Sequence, residues 1–435
     1  MSQYIPNTQN QIDEMLQSIG VSNIEQLFNS IPDSVKFKGL YNIPKSMTEM
    51  ELVKYFKHVA SLNKTIDDKI CFLGAGAYDH YIPSIIDHVI RRQEFYTSYT
   101  PYQPEISQGI LQAIFEYQTM ICRLTAMDAC NASMYDGPTS LAEACSLACS
   151  LNKRKNKVLL LSSISIEAKQ VIHTYLKYRD IIISETTLET LEKDVDENTA
   201  CVCVQSPNFY GEIEDLKYIG EIVHGVKGLL IVDSDPISLG ILEAPGNLGA
   251  DIVVGEGQSL GNALAYGGPY LGFFAVSQKL VRKMPGRIVG QTVDKDNKRA
   301  FVLTLQAREQ HIRREKATSN ICSNQALNAL VATIYLTVVG KNGLKDIAKR
   351  CVFNAHYTYN KLLETNKFEK VSDKPFFKEF VVKSKVDIPT LNKYLLDNGY
   401  LGGYDLGNNL WLVAVTEKRT KAEIDDFVKK AGEVK

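Results

Sequence analysis

The sequence predicts an α/β fold built on a mostly parallel sheet. Short apolar runs at 158–161, 201–204 and 229–232 alternate with segments of helical periodicity. Strands that are apolar along their whole length and separated by helices are typical of a parallel sheet covered on both faces. The two ends of the chain lack this alternation, so a smaller structural unit is predicted at each end.

The first part, residues 1–65, has a helical pattern and predicts an arm that precedes the large domain. Ser22 with Glu25, and Ser46 with Glu49, match the capping box that begins helices. An arm without strands of its own has to bury its apolar stripe on the main domain or on a partner chain.

The large α/β domain is predicted for residues 66–325, and a linking helix with a small α+β domain for 326–435. In this last part, apolar strands at 379–382 and 410–415 are separated by helical segments. A chain of 435 residues exceeds what one small core accommodates, so several units that share an interface are expected.

The stretch 228–278 contains no lysine, and this absence bears on function. A strand ending at Asp233 is followed by the apolar run 252–254 and then by a glycine-rich turn. That order is typical of pyridoxal-phosphate (PLP) enzymes, in which the aspartate pairs with the pyridinium nitrogen and a lysine after the second strand carries the Schiff base. Here Gln258 and Ser259 occupy the lysine's place. The chain is therefore either unrelated to such enzymes or one half of one.

Two helix starts are candidates for binding a phosphate. Gly137 and Thr139 lie in a turn that leads into a long helix, where backbone N–H groups form a ready anion site. Simple capping by Asp136 or Thr139 explains the same residues equally well. A second hydroxyl-rich cap precedes the apolar helix near residue 327. Its candidate phosphate contacts are Thr318, Ser319 and Asn320.

An aromatic segment at 94–109 is rich in tyrosine and proline, so it cannot form a regular helix or a central strand. It is either a loop packed on the surface or a stiff wall that lines a ligand pocket. Tyr99, Pro101 and Tyr102 are the candidates for such a lining. Glu105 either positions a polar group or is an acid that complements the start of the following helix.

Composition excludes several classes of function. Lys+Arg total 49 against 50 for Asp+Glu, a formal charge of −1, so nothing favours nucleic acid or an anionic membrane as a partner. The chain has no signal or transit pattern and no apolar run of membrane-spanning length, which predicts a cytoplasmic protein. The nine cysteines and seven histidines lack metal-ligand spacing, so reduced core thiols and no metal site are expected.

Several segments together resemble the P-proteins of the glycine cleavage system, specifically the two-subunit form of that family. The resemblance spans nearly the whole chain. Its matching segments are 4–8, 72–81, 99–109, 131–137, 255–258 and 315–322.

This resemblance implies an aminotransferase-like, fold type I PLP domain in a subunit that lacks the cofactor lysine. A homologous second subunit would carry both the lysine and PLP. In this family glycine is decarboxylated and its aminomethyl group passes to the lipoyl arm of the H-protein, with the T and L proteins as further functional partners. Where the family pattern suggests a His-Pro pair, the chain has Ser165 and Ile166. That departure argues against a retained residue for stacking on the cofactor. In such a subunit Asp233 would no longer bind a cofactor, and local hydrogen bonds would hold its side chain.

Three alternatives remain open at the level of sequence. A self-sufficient PLP enzyme would need a displaced amine such as Lys279. A dinucleotide-binding oxidoreductase is suggested by Gly255, Gly257 and Gly261, but the third glycine lies one residue too far along, and 271–277 lacks the ribose-binding acid. A purely structural subunit is the third alternative.

Overall fold

The computed structural model describes residues 6–96, 103–152 and 154–434 and divides the chain into two units, Met1–Lys64 and Thr65–Lys435. The first unit contains α1 (Gln9–Ser18), a 3₁₀ turn at Ile24–Phe28 and α2 (Glu49–Ala60). Thr48 and Glu51 form the capping box of α2, and the side chain of Asn23 caps the 3₁₀ turn. The predicted caps at Ser46 and Ser22 were therefore displaced by one or two residues, because overlapping segments match the same short pattern.

The second unit begins with the elements that build the sheet. In chain order these are β1 (Ile70–Cys71), α3 (Ile85–Ile90), α4 (Gln93–Tyr96), α5 (Gln108–Thr125), β2 (Ala129–Cys130), α6 (Gly137–Leu151), β3 (Lys157–Leu161), α7 (Ile166–Leu176), β4 (Ile182–Thr186), α8 (Leu191–Asp194), β5 (Thr199–Gln205), α9 (Leu216–Gly225), β6 (Leu229–Asp233), β7 (Ile252–Glu256) and β8 (Gly272–Val276).

The remaining elements extend this unit to the end of the chain. They are β9 (Ile288–Val293), β10 (Arg299–Thr304), α10 (Gln310–Arg313), α11 (Ala326–Glu364), β11 (Phe368–Lys370), β12 (Glu379–Ser384), α12 (Ile388–Asp397), β13 (Tyr400–Leu401), β14 (Tyr404–Asp405), β15 (Leu410–Ala414) and α13 (Lys421–Glu433).

A seven-stranded sheet in the order β2-β8-β7-β6-β5-β3-β4 forms the centre of the unit. The pairs among β3, β4, β5, β6 and β7 are parallel, whereas β8 and β2 are added antiparallel at one edge. The mostly parallel sheet is as predicted. Its apolar strands are buried because helices cover both faces, and Cys201 and Cys203 pack there as core residues beside Cys145 of α6. Parallel strands bring their carboxyl ends to one edge, where ligands bind in open α/β sheets.

The C-terminal part has a separate core. The antiparallel sheet β11-β12-β15-β14 packs with α12 and α13 around Trp411 and Phe427. Residues 70–71 pair in parallel with β13, so the segment entering the large domain is tied to this part. Gly211, with φ +88°, lies so close to the backbone of Glu379 that a Cβ atom would meet its carbonyl oxygen. This approach places β12 directly above the carboxyl edge of the large sheet.

Two elements differ from the sequence interpretation. The charged segment at 308–316, whose pattern suits the solvated face of a helix, forms only short turns that include α10. Helix α11 is interrupted at Gly340, whose φ of 63° and ψ of −179° are not helical. In the described part of the chain, no helix has the length and apolar character needed to cross a membrane.

Candidate functional site

A cavity of about 450 Å³ lies at the carboxyl edge of the large sheet. The ends of β5, β6 and β7, the start of α6, a loop at 74–78 and the beginning of β12 surround it. Its polar lining includes Asp136, Ser165, Gln205, Asp233, Asp235, Glu256, Gln258, Ser259, Lys378 and Glu379. The residues predicted for a cofactor site on β6 and after β7 are thus brought together.

Asp233 ends β6 and lines the cavity. Burial, reinforced by the charges of Glu256 and Asp235, raises the pKa of its carboxyl group to about 7. The backbone carbonyl of Asp233 accepts a hydrogen bond from Ser206 N–H, but the Asp233 carboxylate has no hydrogen-bond partner among the described residues. The local hydrogen bonds expected to hold this side chain are therefore not found there.

Glu256 occupies the helix start that was a candidate for phosphate binding. Its carboxylate accepts the N–H of Gly137 at 3.0 Å, and those of Gln258 and Leu271 at 2.9 Å each. Burial raises the pKa of Glu256 to about 7 although these backbone bonds oppose the shift. Asp136 caps the same helix by accepting from Thr139 N–H at 2.8 Å. Gly137 and Thr139 therefore take part in carboxylate capping within the chain.

The place of the Schiff-base lysine is taken by two uncharged polar residues. Gln258 accepts from Tyr78 N–H at 2.9 Å and donates to the Asn262 carbonyl at 2.8 Å, which ties the turn after β7 to the loop at 74–78. Ser259 is 3% exposed and lines the cavity. Ser165 caps α7 through Ala168 N–H, so the residue found in place of the expected His-Pro pair has no ring to stack on a cofactor.

These residues do not fit PLP. A phosphate at the start of α6 would displace or repel the Glu256 carboxylate, which already accepts the N–H of Gly137. A Schiff base requires an amine, and neither Gln258 nor Ser259 supplies one. Asp233 retains the position of a pyridinium partner. The cavity nevertheless lacks both a free site for the cofactor phosphate and a lysine for the Schiff base.

Lys378 is a cavity residue that the sequence interpretation missed. It is 2% exposed, its Nζ lies 2.5 Å from Asp235, and it lies 3.5 Å from the ring centroid of Tyr78. A third neighbour, His80 Nε2, is 3.0 Å away. The Asp235 carboxylate pairs with the ammonium group, and the ring face of Tyr78 attracts it. The signal in the sequence was a charged Lys-Glu pair at the start of an otherwise apolar strand.

Glu379 is the second missed residue at this end of the cavity. It accepts Ala75 N–H at 2.7 Å and the hydroxyl of Tyr78 at 2.5 Å. Burial raises the pKa of Glu379 to about 7, even though these hydrogen bonds and Lys378 favour its charged form. Together with Asp233 and Glu256, it gives the cavity three carboxyl groups that titrate near neutrality.

Beyond Lys378 the buried polar contacts continue away from the cavity. His80 Nδ1 lies 2.6 Å from Glu417, and Cys351 Sγ lies 3.4 Å from the same carboxylate. Burial opposes the charge of Glu417, but its interaction with His80 and the N–H of Tyr81 outweigh that effect and lower the pKa of Glu417 to about 2.

Two clusters among the described residues bring metal-ligand atoms within 4.8 Å of one another. One contains Cys145, Cys201 and Cys203, and the other contains His80, Cys351 and Glu417. The expected absence of a metal site therefore remains a prediction. For the second cluster, the hydrogen bonds already described account for the close approach of the groups.

The other predicted site residues do not line this cavity. Lys279 pairs with Asp251 at 2.6 Å and its side chain is 63% exposed, so it cannot supply a displaced amine here. Ser319 donates to Glu143 at 2.8 Å. Glu105 is exposed before α5, and Gly255 lies within β7 instead of opening a nucleotide-binding turn. Away from the cavity lie Thr318, Ser319 and Asn320, whereas Tyr99, Pro101 and Tyr102 fall outside the described residues.

Comparison with known proteins identifies first a class and then a family. A solved C-DES mutant, which has glycine covalently linked to its PLP cofactor, shares the fold with a TM-score of 0.63 at 11% identity and covers 85% of this chain and 98% of its own. Together with the parallel sheet and small antiparallel domain, this shows that the chain has the fold of the fold type I PLP-dependent enzymes, as predicted. The chain belongs to the glycine cleavage system P-protein family, whose model matches residues 2–430.

Similar proteins agree over the full length. The probable glycine dehydrogenase (decarboxylating) subunit 1 of Anoxybacillus flavithermus is 52% identical and covers 100% of this chain and 99% of its own. A crystal structure of glycine decarboxylase (P-protein) of the glycine cleavage system, in inhibitor-bound form, has a TM-score of 0.91 and 39% identity over 100% of both chains.

Proposed function

We propose that this chain is the subunit of a two-subunit glycine decarboxylase that does not carry PLP. A homologous partner subunit holds the cofactor, and the complex decarboxylates glycine and transfers the aminomethyl group to the lipoyl arm of the H-protein. The T and L proteins of the glycine cleavage system complete the reaction sequence. Full-length similarity to a protein called subunit 1 supports a role in a complex.

The contact between Glu256 and Gly137 N–H carries this proposal. It puts a carboxylate where a PLP enzyme of this fold would bind a phosphate, in a cavity that also lacks the lysine after β7. A self-sufficient PLP enzyme would require both features to be reversed. The partner subunit therefore has to supply the Schiff-base lysine and hold the cofactor.

The test compares the isolated chain with the assembled complex. After incubation with PLP, the chain alone should show no visible internal-aldimine band, and borohydride should leave no pyridoxyl group on it. Co-expression with the second subunit should give a complex of defined mass that absorbs in the visible and exchanges bicarbonate with the glycine carboxyl group. Lys378→Arg and Lys279→Arg are matched controls for a displaced amine. A pyridoxyl adduct on the wild-type chain that one of these variants abolishes would overturn the proposal.

The hydroxyl-rich segment before α11 is proposed to contact the partner's PLP phosphate through Thr318, Ser319 and Asn320. Thr318→Ala and Asn320→Ala in the complex should weaken PLP retention about threefold to tenfold, because each would remove a hydrogen bond to an anion. Thr174→Ala, an exposed threonine on α7, serves as the control. Unchanged PLP dissociation constants in both variants would assign this segment a structural role only.

A further inference from the structure

The cavity has an acidic lining in which most groups are already paired. Six carboxyl groups line it: Asp136, Glu167, Asp233, Asp235, Glu256 and Glu379. Lys378 is the one basic side chain in the described lining, and Asp235 neutralises it at 2.5 Å. Glu256 and Glu379 accept backbone N–H groups, and Asp136 caps α6. An anionic ligand would therefore meet repulsion without a free cation to offset it.

Two polar groups that line this cavity have no hydrogen-bond partner among the described residues. One is the hydroxyl of Ser259, a residue that is only 3% exposed, and the other is the carboxylate of Asp233, which is half-buried at the end of β6. Polar groups shielded from solvent normally have partners, so an unpartnered hydroxyl on a buried residue beside an unpartnered carboxylate points to a ligand that supplies them. Asp233 can only accept when ionised, whereas Ser259 can donate or accept.

The rest of the lining suits an apolar body. Tyr78, Phe209, Tyr270 and Phe377 contribute aromatic surface around the carboxyl groups. A volume of about 450 Å³ falls within the range of small-molecule sites. Aromatic faces beside carboxylates also favour a positive charge on the ligand, because the ring face carries negative potential.

We propose that this cavity binds a small organic monocation that carries no phosphate or carboxylate. The positive nitrogen lies against Asp233, Ser259 supplies a second polar contact, and the aromatic residues enclose an apolar body. The cavity has thus changed ligand class while keeping the fold of a PLP site. Glu256 at the start of α6 excludes the phosphate, and the same carboxylate contributes to the attraction of a cation. All of the residues named for this site belong to this chain.

The groups that face Asp233 predict a proton signature of binding. Asp235, Glu256, Glu379 and Lys378 surround it in the cavity, and the pKa of Asp233 is raised to about 7. A bound cation favours the carboxylate, so binding at pH 7 should release protons from Asp233 and its acidic neighbours. Calorimetry in two buffers of different ionisation enthalpy measures that release.

Benzylamine tests the proposal against its neutral and anionic counterparts, benzyl alcohol and benzoate. Titration calorimetry or ligand-observed NMR would use the full chain, alone and in complex with the second subunit. Benzylamine should bind at least tenfold more tightly than either counterpart and should release protons at pH 7. Equal binding of the three compounds, or no binding of benzylamine at millimolar concentration in either preparation, would overturn the proposal.

Variants then locate the site. Asp233→Asn keeps the shape but removes the charge and should weaken benzylamine binding at least tenfold. Ser259→Ala should weaken it about threefold, whereas Glu221→Gln, an exposed carboxyl group on α9, should leave it unchanged. Thermal unfolding checks that each variant is folded. If Asp233→Asn does not fold, the ratio of benzylamine to benzyl alcohol affinity in Ser259→Ala decides. Full affinity in both variants would contradict the site.

Discussion

Two glutamates of this chain, Glu256 and Glu417, are partly buried, and their pKa values are shifted in opposite directions. Burial raises the pKa of Glu256 to about 7 although three backbone N–H groups donate to it. For Glu417 the same opposing effect of burial is outweighed by His80 and by the N–H of Tyr81, and its pKa falls to about 2. In these two glutamates the balance between burial and the partners of the carboxylate decides which form is stable.

This difference distinguishes two roles that buried carboxyl groups have in this molecule. Glu417, His80 and Lys378 form a chain of paired groups that stabilises the junction of β12 with the segment at 78–81. Asp233 and Glu256 lie among other acids, where each negative charge destabilises the next. Acids that destabilise the fold without a ligand are common at functional sites, since binding can relieve the repulsion. The cavity therefore has the character of a site, whereas the Glu417 cluster has that of a structural junction.

The largest effect is expected from Glu417→Gln, which removes the carboxylate that contacts His80 Nδ1 and accepts the N–H of Tyr81. At pH 7 the free energy of unfolding should fall by about 3 kcal/mol, because one partner of a buried pair is lost. Urea unfolding measures the loss, and Glu364→Gln, a surface glutamate paired with Lys361, is the control with an effect below about 1 kcal/mol. Glu417 has a lowered pKa, so its contribution is present above about pH 4.5 and is lost as pH falls toward 2. A loss below about 1 kcal/mol for Glu417→Gln would remove the contrast between the two regions.

Asp233→Asn should have the opposite sign. The pKa of Asp233 is raised from 3.8 to about 7, so the folded state retains a proton that the unfolded chain has lost. Stability therefore decreases as pH rises from about 4 to 7, and the asparagine variant escapes that decrease. At pH 8, without added amines, the variant should be more stable than the wild-type chain by about 1–3 kcal/mol, and the difference should vanish near pH 4. A variant that is less stable at pH 8 would mean that Asp233 has a stabilising partner.

The central sheet was predictable because the residues that determine each strand are neighbours in the sequence. Apolar runs such as 201–204 and 229–232 determine buried parallel strands whatever lies around them, and the structure confirms both. The same holds for Asp233, which follows directly after such a run, and for the missing lysine after β7. These features need only the order of residues within a few dozen positions.

The electrostatics of the cavity were not predictable, because they depend on residues far apart in the chain. Gly137 and Glu256 are 119 positions apart, and Tyr78 and Glu379 are 301 apart. The periodicity of apolar residues along the chain does not indicate which of such distant residues are in contact. Lys378 was missed for this reason, although a charged pair entering an apolar strand was a visible signal. The β9–β10 hairpin was missed because its alternation, partly exposed along one face, is weaker than that of the central strands.

The smallest effect is expected from Glu379→Gln, measured at pH 4.5, where it can be compared directly with Glu417→Gln. Burial keeps Glu379 largely protonated in the folded chain at that pH, since its pKa is about 7, and a neutral carboxyl group resembles an amide. The amide can accept Ala75 N–H and donate to the Tyr78 hydroxyl, so the free energy of unfolding should change by less than about 1 kcal/mol. Glu417 is still ionised at pH 4.5, so Glu417→Gln should cost at least about 2 kcal/mol there. Equal losses in the two variants would mean that Glu379 carries its charge at pH 4.5, and the acids around the cavity would then be as well paired as those of the junction.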